Sequence, residues 1–504
     1  MNTCKSLLAT ATSSFTGIAL LWILLGSSGC HSTSGGQDAD GTDLTHTPPP
    51  NIVYILADDL GYGDLSCYGQ TNFRTPTLDA MAAGGIRFTQ HYAGSTVCAP
   101  SRASLMTGRH TGNSYVRGNY ETGPRGFGAE LPLRPDDLTL GEVLQGAGYR
   151  TAAIGKWGMG MDGTTGEPLK KGFDYSYGVL NQAYAHYQYP DSVYVNGARE
   201  AVPGNQDGQR GSFSGDLYTN QAVRFIESVE PDQPFFVYLA YTTPHAEMLV
   251  PEDSIFHRFA GQFPEQAFRK GRQGGGHSAD YGPGFGAYAS QDQPFAAYAA
   301  MVVRLDRDTR RIQQSLERLG LAENTLVLFS SDNGPHAEGG AVPEQFGSAG
   351  GLRGQKRDLY EGGIRVPFIA YWPGVIDQPA ESDLISSFWD ILPTVAELAG
   401  TELGDYATDG VSLAPTLRGD TGKQEQHEYL YWEFHERAHT TQAVRRGDWK
   451  AVRLNPAGPL ELYHLPTDPS ESNNVAEDHP EIVASMRQLM QDARSLHPLW
   501  PLKV

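Results

Sequence analysis

Two pairs of oxygen-bearing side chains, Asp58-Asp59 and Asp332-Asn333, each stand just after a short apolar run of the sequence. They offer carboxylate and amide oxygens, with no sulfur or imidazole among them. Hard divalent cations such as Ca2+ and Mg2+ prefer these ligands, whereas zinc prefers nitrogen and sulfur. Either pair alone is more often a turn or a helix cap. The two pairs together predict a site for Ca2+ or Mg2+.

A cysteine stands where a helix is predicted to begin. Cys98 precedes Ala-Pro, and proline is favoured in the first turn of a helix. Unpaired backbone N–H groups and the helix dipole favour an anion there, so Cys98 is a candidate nucleophile and Arg102, one turn on, would face the anion. The alternatives are a buried structural cysteine, a surface arginine, and a disulfide to Cys67, which we otherwise expect to be buried.

Three further side chains could supply positive charge or a proton. The net charge of −20 repels anionic substrates at long range, so an anion site must gather cations locally. Lys156 follows a predicted strand, Lys356 lies in a glycine-containing segment, and His245 follows Thr-Pro. Each alone reads as a solvated lysine or an ordinary loop histidine. The same net charge argues against nucleic acid, whose binding requires clustered basic residues.

Four apolar runs would position these groups, at 51–57, 149–154, 235–241 and 326–329. Helical patterns lie between them, at 77–83, 101–107, 139–147 and 294–319. This alternation predicts an α/β fold, with a doubly wound, mostly parallel sheet flanked by helices. Ligands of such sheets bind at the carboxyl ends of the strands, and each of the four runs ends there in polar residues: Asp58-Asp59, Lys156, His245 and Asp332-Asn333.

The character of the sequence changes after a predicted amphipathic helix at 383–399. Short strand-like runs follow at 428–433, 442–444, 449–454 and 460–465, and a helical pattern closes the chain at 481–496. We expect an α/β catalytic domain at 51–400 and a smaller antiparallel sheet subdomain with a terminal helix at 401–504. The glycine-rich stretch 261–294 is predicted to be a surface loop near the substrate.

The first thirty residues have the pattern of a bacterial lipoprotein signal. Lys5 precedes an apolar run at 17–25 that is too short for a comfortable membrane span, and small residues lead to Cys30. Cys30 would be the lipidated first residue of the mature protein, and 31–50 a flexible tether. Because Ser27 replaces the usual leucine, plain secretion and a retained anchor stay open. We expect an exported protein of the cell envelope or periplasm, touching the membrane only through this lipid anchor.

Taken in order, the motifs resemble those of the type I, formylglycine-dependent sulfatases, the arylsulfatase family of the alkaline phosphatase-like superfamily. The matching segments are ADDLGYGD at 57–64, CAPSR at 98–102, GKWG at 155–158, TPH at 243–245, SDNGP at 331–335 and YEGG at 360–363. The stretch from ELY at 461–463 to the asparagines 473 and 474 also resembles the ending of such enzymes. The likeness therefore extends from residue 51 to the C-terminal sheet.

The resemblance implies a sulfuric ester hydrolase acting on sulfated carbohydrates or aryl sulfates. A formylglycine-generating or sulfatase-maturing enzyme would oxidise Cys98 to formylglycine. The hydrated aldehyde would attack sulfur, form a covalent sulfo-enzyme and then eliminate sulfate. Lys156, Lys356 and Arg102 would neutralise the sulfate, and His245, with Lys356, would protonate the leaving oxygen. The implied ligands of Ca2+, with Mg2+ as the alternative, are Asp58, Asp59, Cys98, Asp332 and Asn333.

One departure from the family pattern concerns the second residue after Lys156. Many members carry a histidine there that assists the formylglycine diol, whereas this chain has Gly158. We hypothesise that His186, from another loop, fills the gap; a substrate-contacting or structural histidine is the alternative.

Two other functions remain open at this point. One is a phosphonate monoester or phosphodiester hydrolase of the same superfamily, and the other a non-catalytic binder of sulfated glycans. The loops at 112–133, 184–203 and 261–294 would determine substrate specificity, and their sequences contain no motif that indicates a particular substrate.

Overall fold

The four apolar runs form the centre of one large sheet. The protein is described from a computed structural model that covers residues 49–119, 130–269, 288–436 and 439–503. Contacts group residues 49–504 into one unit. The predicted signal, Cys30 and the tether up to residue 48 lie outside the described residues, as do the central parts of two of the three loops expected to choose the substrate.

The strands are β1 (Asn51–Asp58), β2 (Ile86–Phe88), β3 (His91–Tyr92), β4 (Arg150–Lys156), β5 (Tyr175–Val179), β6 (Ser192–Val195), β7 (Ala198–Ala201), β8 (Phe235–Pro244), β9 (Thr325–Ser331), β10 (Phe368–Tyr371), β11 (Ala380–Ser382), β12 (Ser386–Ser387), β13 (Leu430–Glu436), β14 (His439–Arg446), β15 (Trp449–Arg453) and β16 (Glu461–His464). The helices are α1 (Pro76–Gly84), α2 (Cys98–Thr107), α3 (Leu140–Gly146), α4 (Ser214–Ser228), α5 (Ser254–Phe259), α6 (Pro294–Arg318), α7 (Pro343–Phe346), α8 (Glu361–Ile364), α9 (Ile391–Leu398), α10 (Ala414–Leu417) and α11 (Pro480–Asp492).

In the described part of the chain, the large sheet has the strand order β11-β2-β10-β9-β1-β8-β4-β5-β6-β7. Strands β9, β1, β8, β4 and β5 run parallel, whereas β10, β6 and β7 pair antiparallel with their neighbours. The predicted mostly parallel α/β fold is confirmed. The antiparallel margins were not predicted. Strand β10 pairs with the distant β2, and the short strands β6 and β7 form a hairpin around Asn196-Gly197 whose turn signal was not used.

Both faces of the central sheet are buried, which explains the continuous apolar runs. Along β1, Val53 and Ile55 belong to one core cluster, and Ile52 and Tyr54 to another on the opposite face. This is the alternation of an extended strand covered on both sides. Residues of α4 and α6 contribute to the first cluster, and residues of α2, α3 and α9 to the second. The core thus fixes the ends of β1, β4, β8 and β9 relative to one another.

The C-terminal sheet is also confirmed, as the antiparallel order β13-β14-β15-β16. The terminal helix α11 ends at Asp492, four residues earlier than predicted, because the chain then turns so that the backbone N–H of Ser495 donates to the carbonyl of Gly112 at 3.0 Å.

The predicted helix 383–399 is too long at its start. Ser387 and Asp390 form a capping box, with the Ser387 N–H donating to the Asp390 carboxylate at 2.7 Å, so helical structure begins only at Phe388. Within the described residues, no helix has the length and apolar character needed to cross a membrane.

Candidate active site

The ends of four neighbouring parallel strands carry most of the predicted site residues. Asp58 is the last residue of β1, Lys156 the last of β4, and His245 directly follows β8. Asp332 and Asn333 directly follow β9. Ala57 pairs with Ser331 and Asp58 with Pro244, so these ends lie at one level of the sheet. The expected convergence at the carboxyl edge is therefore observed.

Three carboxylates and one sulfur meet in a buried pocket at this edge. One ligand atom each from Asp58, Asp59, Cys98 and Asp332 lies within 4.8 Å of the others, and all four residues are buried. The Asp59 N–H donates to Asp332 Oδ1 at 3.0 Å, and Asn333 Nδ2 donates to Asp59 Oδ1 at 2.7 Å. Burial, and then the neighbouring Asp58 charge, raise the pKa of Asp332. Crowded carboxylates of this kind need a counterion.

The donor set fits a hard divalent cation. Among the described residues, the Asn333 side-chain oxygen Oδ1 is buried without a hydrogen-bond donor. A buried carbonyl oxygen without a partner is costly, and a bound cation would satisfy it. Asp58, Asp59, Asp332 and Asn333 together offer the oxygen ligands that Ca2+ and Mg2+ prefer. The residues predicted from the sequence are those that the fold brings together.

Cys98 is the first residue of α2, as its following proline predicts. Its Sγ lies 3.3 Å from Asp58 Oδ1 and 3.9 Å from Asp59 Oδ1. Burial and the charges of Asp332 and Asp58 raise the pKa of the thiol well above its ordinary value. Neither Cys98 nor Cys67 forms a disulfide within the described residues, and Cys67 is half-buried rather than buried.

Three buried cations surround the carboxylates. Arg102 Nε donates to Asp332 Oδ2 at 2.9 Å, and its NH1 donates to the carbonyl of Lys156 at 2.8 Å. Lys156 Nζ donates to Asp58 Oδ2 at 2.7 Å, and Lys356 Nζ to Asp59 Oδ2 at 2.7 Å. The acidic protein therefore does concentrate positive charge around Cys98.

His245 lies beside Lys356 on another side of the pocket. Its Nε2 is 2.9 Å from Lys356 Nζ and 3.3 Å from Asp59 Oδ2, and its Nδ1 contacts the Ala246 carbonyl. Burial, and then the charges of Lys356 and Lys156, lower the pKa of His245 well below its ordinary value. An imidazole and an ammonium group thus lie within hydrogen-bond distance of each other beside the carboxylates.

His186 lies against His245 rather than beside Gly158. The two rings stack with centroids 4.5 Å apart and an interplanar angle of 16°. Gly158 has a positive φ of 74°, and a Cβ there would overlap the side-chain amide of Gln182. The space beside Gly158 is thus filled by Gln182, a residue that the sequence analysis did not single out. The role assigned to His186 stays a prediction.

The sequence analysis also missed three residues beside His245. Glu338 Oε2 lies 3.6 Å from both His245 Nε2 and Lys356 Nζ, and it accepts a hydrogen bond from Tyr288 OH at 2.6 Å. His336 stacks on His245 with centroids 5.4 Å apart. His336 and Glu338 closely follow the SDNG segment, and that proximity is the signal that could have revealed them.

A nucleophile position at a helix start, three buried carboxylates and three buried cations, all at the carboxyl edge of this sheet, define a hydrolase of the alkaline phosphatase-like class. Two family models match the chain. The model described as Sulfatase matches residues 50–401, and the one described as N-sulphoglucosamine sulphohydrolase, C-terminal, matches residues 353–496. The chain belongs to the sulfatase family and is a sulfatase, an enzyme that hydrolyses sulfate esters.

Curated relatives are similar over most of their length. Arylsulfatase A of Homo sapiens is 33% identical over 491 residues, covering 88% of this chain and 87% of that protein. N-acetylgalactosamine-6-O-sulfatase of Bacteroides thetaiotaomicron is 28% identical, covering 95% of this chain and 98% of that protein. The likeness therefore spans both sheets.

Solved structures show the same architecture. Ps i-CgsB in complex with k-i-k-neocarrahexaose is 27% identical with a TM-score of 0.71, covering 88% of this chain and 93% of that chain. Phosphonate monoester hydrolase of Agrobacterium radiobacter has a TM-score of 0.61 at 23% identity, covering 90% of this chain and 99% of that chain. The second likeness shows the fold alone.

Proposed function

We propose that this sulfatase removes sulfate from sulfated carbohydrates or aryl sulfates, using formylglycine made from Cys98 and a bound Ca2+. The observation that carries the proposal is the meeting of Cys98 Sγ, three carboxylates and three cations in one buried pocket. Anion recognition by an acidic protein requires such a local concentration of positive charge.

The chain's own residues divide the work. Asp58, Asp59, Asp332 and Asn333, together with the side chain at position 98, would hold the cation, which supplies Lewis-acid polarisation. Formylglycine at position 98 supplies a geminal diol as the nucleophile. Arg102, Lys156 and Lys356 hold the sulfate oxygens and neutralise their charge, which is preorganised electrostatic stabilisation.

His245, with Lys356, donates a proton to the leaving oxygen; because burial and the lysines lower the pKa of His245, the proton comes from the Lys356 ammonium group beside it. Their nitrogens are 2.9 Å apart, so one ester oxygen can approach both. His186 stacks on His245 and fixes the plane of that ring. We therefore expect His186→Ala to lower the turnover of a small aryl sulfate by about tenfold, less than the roughly 10²–10⁴-fold that a general acid itself contributes, because only the orientation of His245 would be affected. Unchanged turnover would remove His186 from the catalytic set.

The sequence also supports proposals about the setting of the enzyme. Residues 1–30 would direct export and Cys30 would carry a lipid anchor, after which 31–50 act as a tether. A formylglycine-generating or sulfatase-maturing enzyme would act on the CAPSR segment. Residues 51–400 would form the catalytic domain and 401–504 the C-terminal subdomain.

The deciding experiment measures sulfate release from 4-nitrophenyl sulfate and from defined sulfated monosaccharides. The protein should contain the aldehyde at position 98, confirmed by mass spectrometry, and be assayed with Ca2+, with Mg2+, and after chelation. We expect activity that depends on both the aldehyde and the cation. Full activity with an unmodified cysteine would contradict the mechanism, and a higher kcat/KM on an aryl phosphodiester than on the sulfate would favour the alternative hydrolase.

A further inference from the structure

Glu338 stands next to the proposed proton donors and is more exposed than either of them. Its Oε2 is 3.6 Å from Lys356 Nζ and 3.6 Å from His245 Nε2. The Glu338 side chain is 20% exposed, whereas those of Lys356 and His245 are 4% and 1% exposed. Of these three side chains, Glu338 has the largest exposed fraction.

The Glu338 carboxylate is held in place by two donors. Tyr288 OH donates to Oε2 at 2.6 Å, and Arg357 NH1 donates to Oε1 at 2.7 Å. Burial raises the pKa of Glu338, but Lys356, His245, His336 and Arg357 outweigh it and hold this pKa far below its ordinary value. The ionised carboxylate accepts hydrogen bonds only, and its two oxygens have capacity beyond these two donors.

The position of Glu338 relative to the ester follows from the proposed function, on which this step rests. If His245 and Lys356 protonate the leaving oxygen, that oxygen lies within hydrogen-bond reach of both nitrogens. An oxygen on the adjacent carbon lies about one hydrogen-bond length from the ester oxygen. A hydroxyl there can therefore contact Glu338 Oε2 while the ester oxygen contacts both nitrogens, and a hydroxyl on the far side of a ring lies several ångströms further from the ester oxygen.

We propose that Glu338 selects sulfate esters that carry a hydroxyl group on the carbon next to the esterified carbon. Carbohydrate sulfates with a free neighbouring hydroxyl belong to this class, and steroid sulfates and unsubstituted aryl sulfates do not. A carboxylate or a second sulfate at that neighbouring carbon is disfavoured, because it would face the negative charge of Glu338. Arg357 does not neutralise the Glu338 charge fully, because it also pairs with Glu436, whose Oε1 lies 3.2 Å from the Arg357 Nε.

Two isomeric probes isolate this contact. In 2-hydroxyphenyl sulfate the hydroxyl is on the adjacent carbon, and in 4-hydroxyphenyl sulfate it is across the ring. We expect wild-type kcat/KM to favour the 2-hydroxy isomer by about 10- to 100-fold, the effect of one hydrogen bond to a charged group. Glu338→Ala should reduce that ratio at least tenfold. A matched control, Glu344→Ala, changes an exposed carboxylate on the neighbouring α7 and should keep the ratio.

The ratio separates specificity from general damage. If Glu338→Ala slows both isomers equally, Glu338 only supports the proton donors and the proposal is overturned. If the alanine variant is unfolded by circular dichroism, Glu338→Met keeps a similar side-chain volume without a carboxylate or amide acceptor and should also lose most of the preference; an unchanged ratio there overturns the proposal. Wild-type turnover without any preference overturns it too, and leaves the sulfatase mechanism intact. No sulfate release from any ester would instead show that the proposed function has failed.

Discussion

Two clusters of buried opposite charges among the described residues can be compared, and they differ in what completes them. The active-site cluster comprises Asp58, Asp59, Asp332, Arg102, Lys156 and Lys356. The C-terminal cluster, between α8 and the C-terminal sheet, comprises Glu361, Lys450 and Glu471. Both are inaccessible to bulk water, so ion pairing alone does not distinguish a catalytic site from a structural one.

In the C-terminal cluster, one lysine serves two carboxylates. Lys450 Nζ lies 2.9 Å from Glu361 Oε1 and 3.0 Å from Glu471 Oε1. The Glu361 N–H donates to Glu471 Oε2 at 2.6 Å, and Tyr92 OH donates to Glu361 Oε2 at 2.7 Å. Burial and the Glu361 charge raise the pKa of Glu471 to about 7, whereas Lys450 and nearby arginines outweigh burial and lower the pKa of Glu361 to about 2. A proton on Glu471 relieves its repulsion from the Glu361 charge, with which Arg365 also pairs at 3.4 Å.

The active-site cluster lies instead beside atoms that the protein leaves without partners. Asn333 Oδ1 is such an atom, and Cys98 Sγ lies among three carboxylates. A divalent cation and a sulfate, rather than a proton, would complete this cluster. Glu471 Oε1 also lacks a hydrogen-bond donor, but it lies 3.0 Å from the Lys450 ammonium group, whereas Asn333 Oδ1 is an uncharged ligand oxygen at the sheet edge with no hydrogen-bond donor among the described residues. This difference is what indicates a cation site in the active-site cluster.

The largest effect should come from Cys98→Ala. Removal of a nucleophile costs up to about 10⁶-fold in turnover in other enzymes, so we expect loss of at least about 10⁴-fold in sulfate release from 4-nitrophenyl sulfate. The substitution removes no charge, so the melting temperature should stay within a few degrees of the parent. Retained activity, or collapse of the fold, would show that Cys98 belongs to a structural cluster after all.

Lys450→Met should lower the free energy of unfolding more than Cys98→Ala does. Breaking a buried pair leaves an uncompensated charge, and typically costs about 3–5 kcal/mol. Urea denaturation should detect this, and Lys423→Met, at a side chain that is 77% exposed, should change little. Because Glu361 begins α8, whose Gly363 carbonyl accepts from the Gly334 N–H at 3.0 Å, a secondary loss of activity is also expected.

Lys156→Met should act mainly on turnover. Loss of one donor to the developing charge costs about 10²–10³-fold, measured as kcat/KM on an aryl sulfate. It also leaves Asp58 without its lysine, but here a bound cation can replace the lost charge. Added Ca2+ should therefore raise the melting temperature of Lys156→Met more than that of Lys450→Met. Equal responses would argue that the cation binds elsewhere.

Site residues at strand ends were predictable from the sequence, whereas most of those placed by loops were not. Asp58, Lys156, His245 and Asp332 were predictable because each ends or follows an apolar strand, and strand ends of a parallel sheet meet at one edge. The proline after Cys98 likewise predicted the start of α2.

Residues placed by loops were not predictable in this way. Glu338, Tyr288 and Gln182 reach the site from segments without periodicity, so their positions depend on how the loops pack. Glu361 and Lys450 are far apart in the chain, and no local pattern pairs them. The start of α9 was missed because the apolar pattern continues through the extended residues before Ser387.

The smallest expected effect is a pH dependence in the C-terminal cluster. The pKa of Glu471 is about 7 in the folded protein and about 4.5 in the unfolded chain. Below pH 4.5 both states are protonated and the favourable contribution to stability is complete. Between pH 4.5 and 7 the unfolded chain has lost this proton while the folded protein still holds it. Up to about 3 kcal/mol of stability is therefore lost as pH rises through this window, and the loss is complete above pH 7. Glutamine mimics the protonated acid at every pH.

The stability of Glu471→Gln relative to the parent should therefore rise between about pH 5 and pH 8. Melting temperatures of both proteins across this range measure it, and the difference cancels the titration of all other groups. A parallel course of the two curves would mean that Lys450 keeps both carboxylates ionised. The carboxylates of the C-terminal cluster would then be neutralised by cationic side chains alone. A bound proton would no longer distinguish this cluster from the active-site cluster.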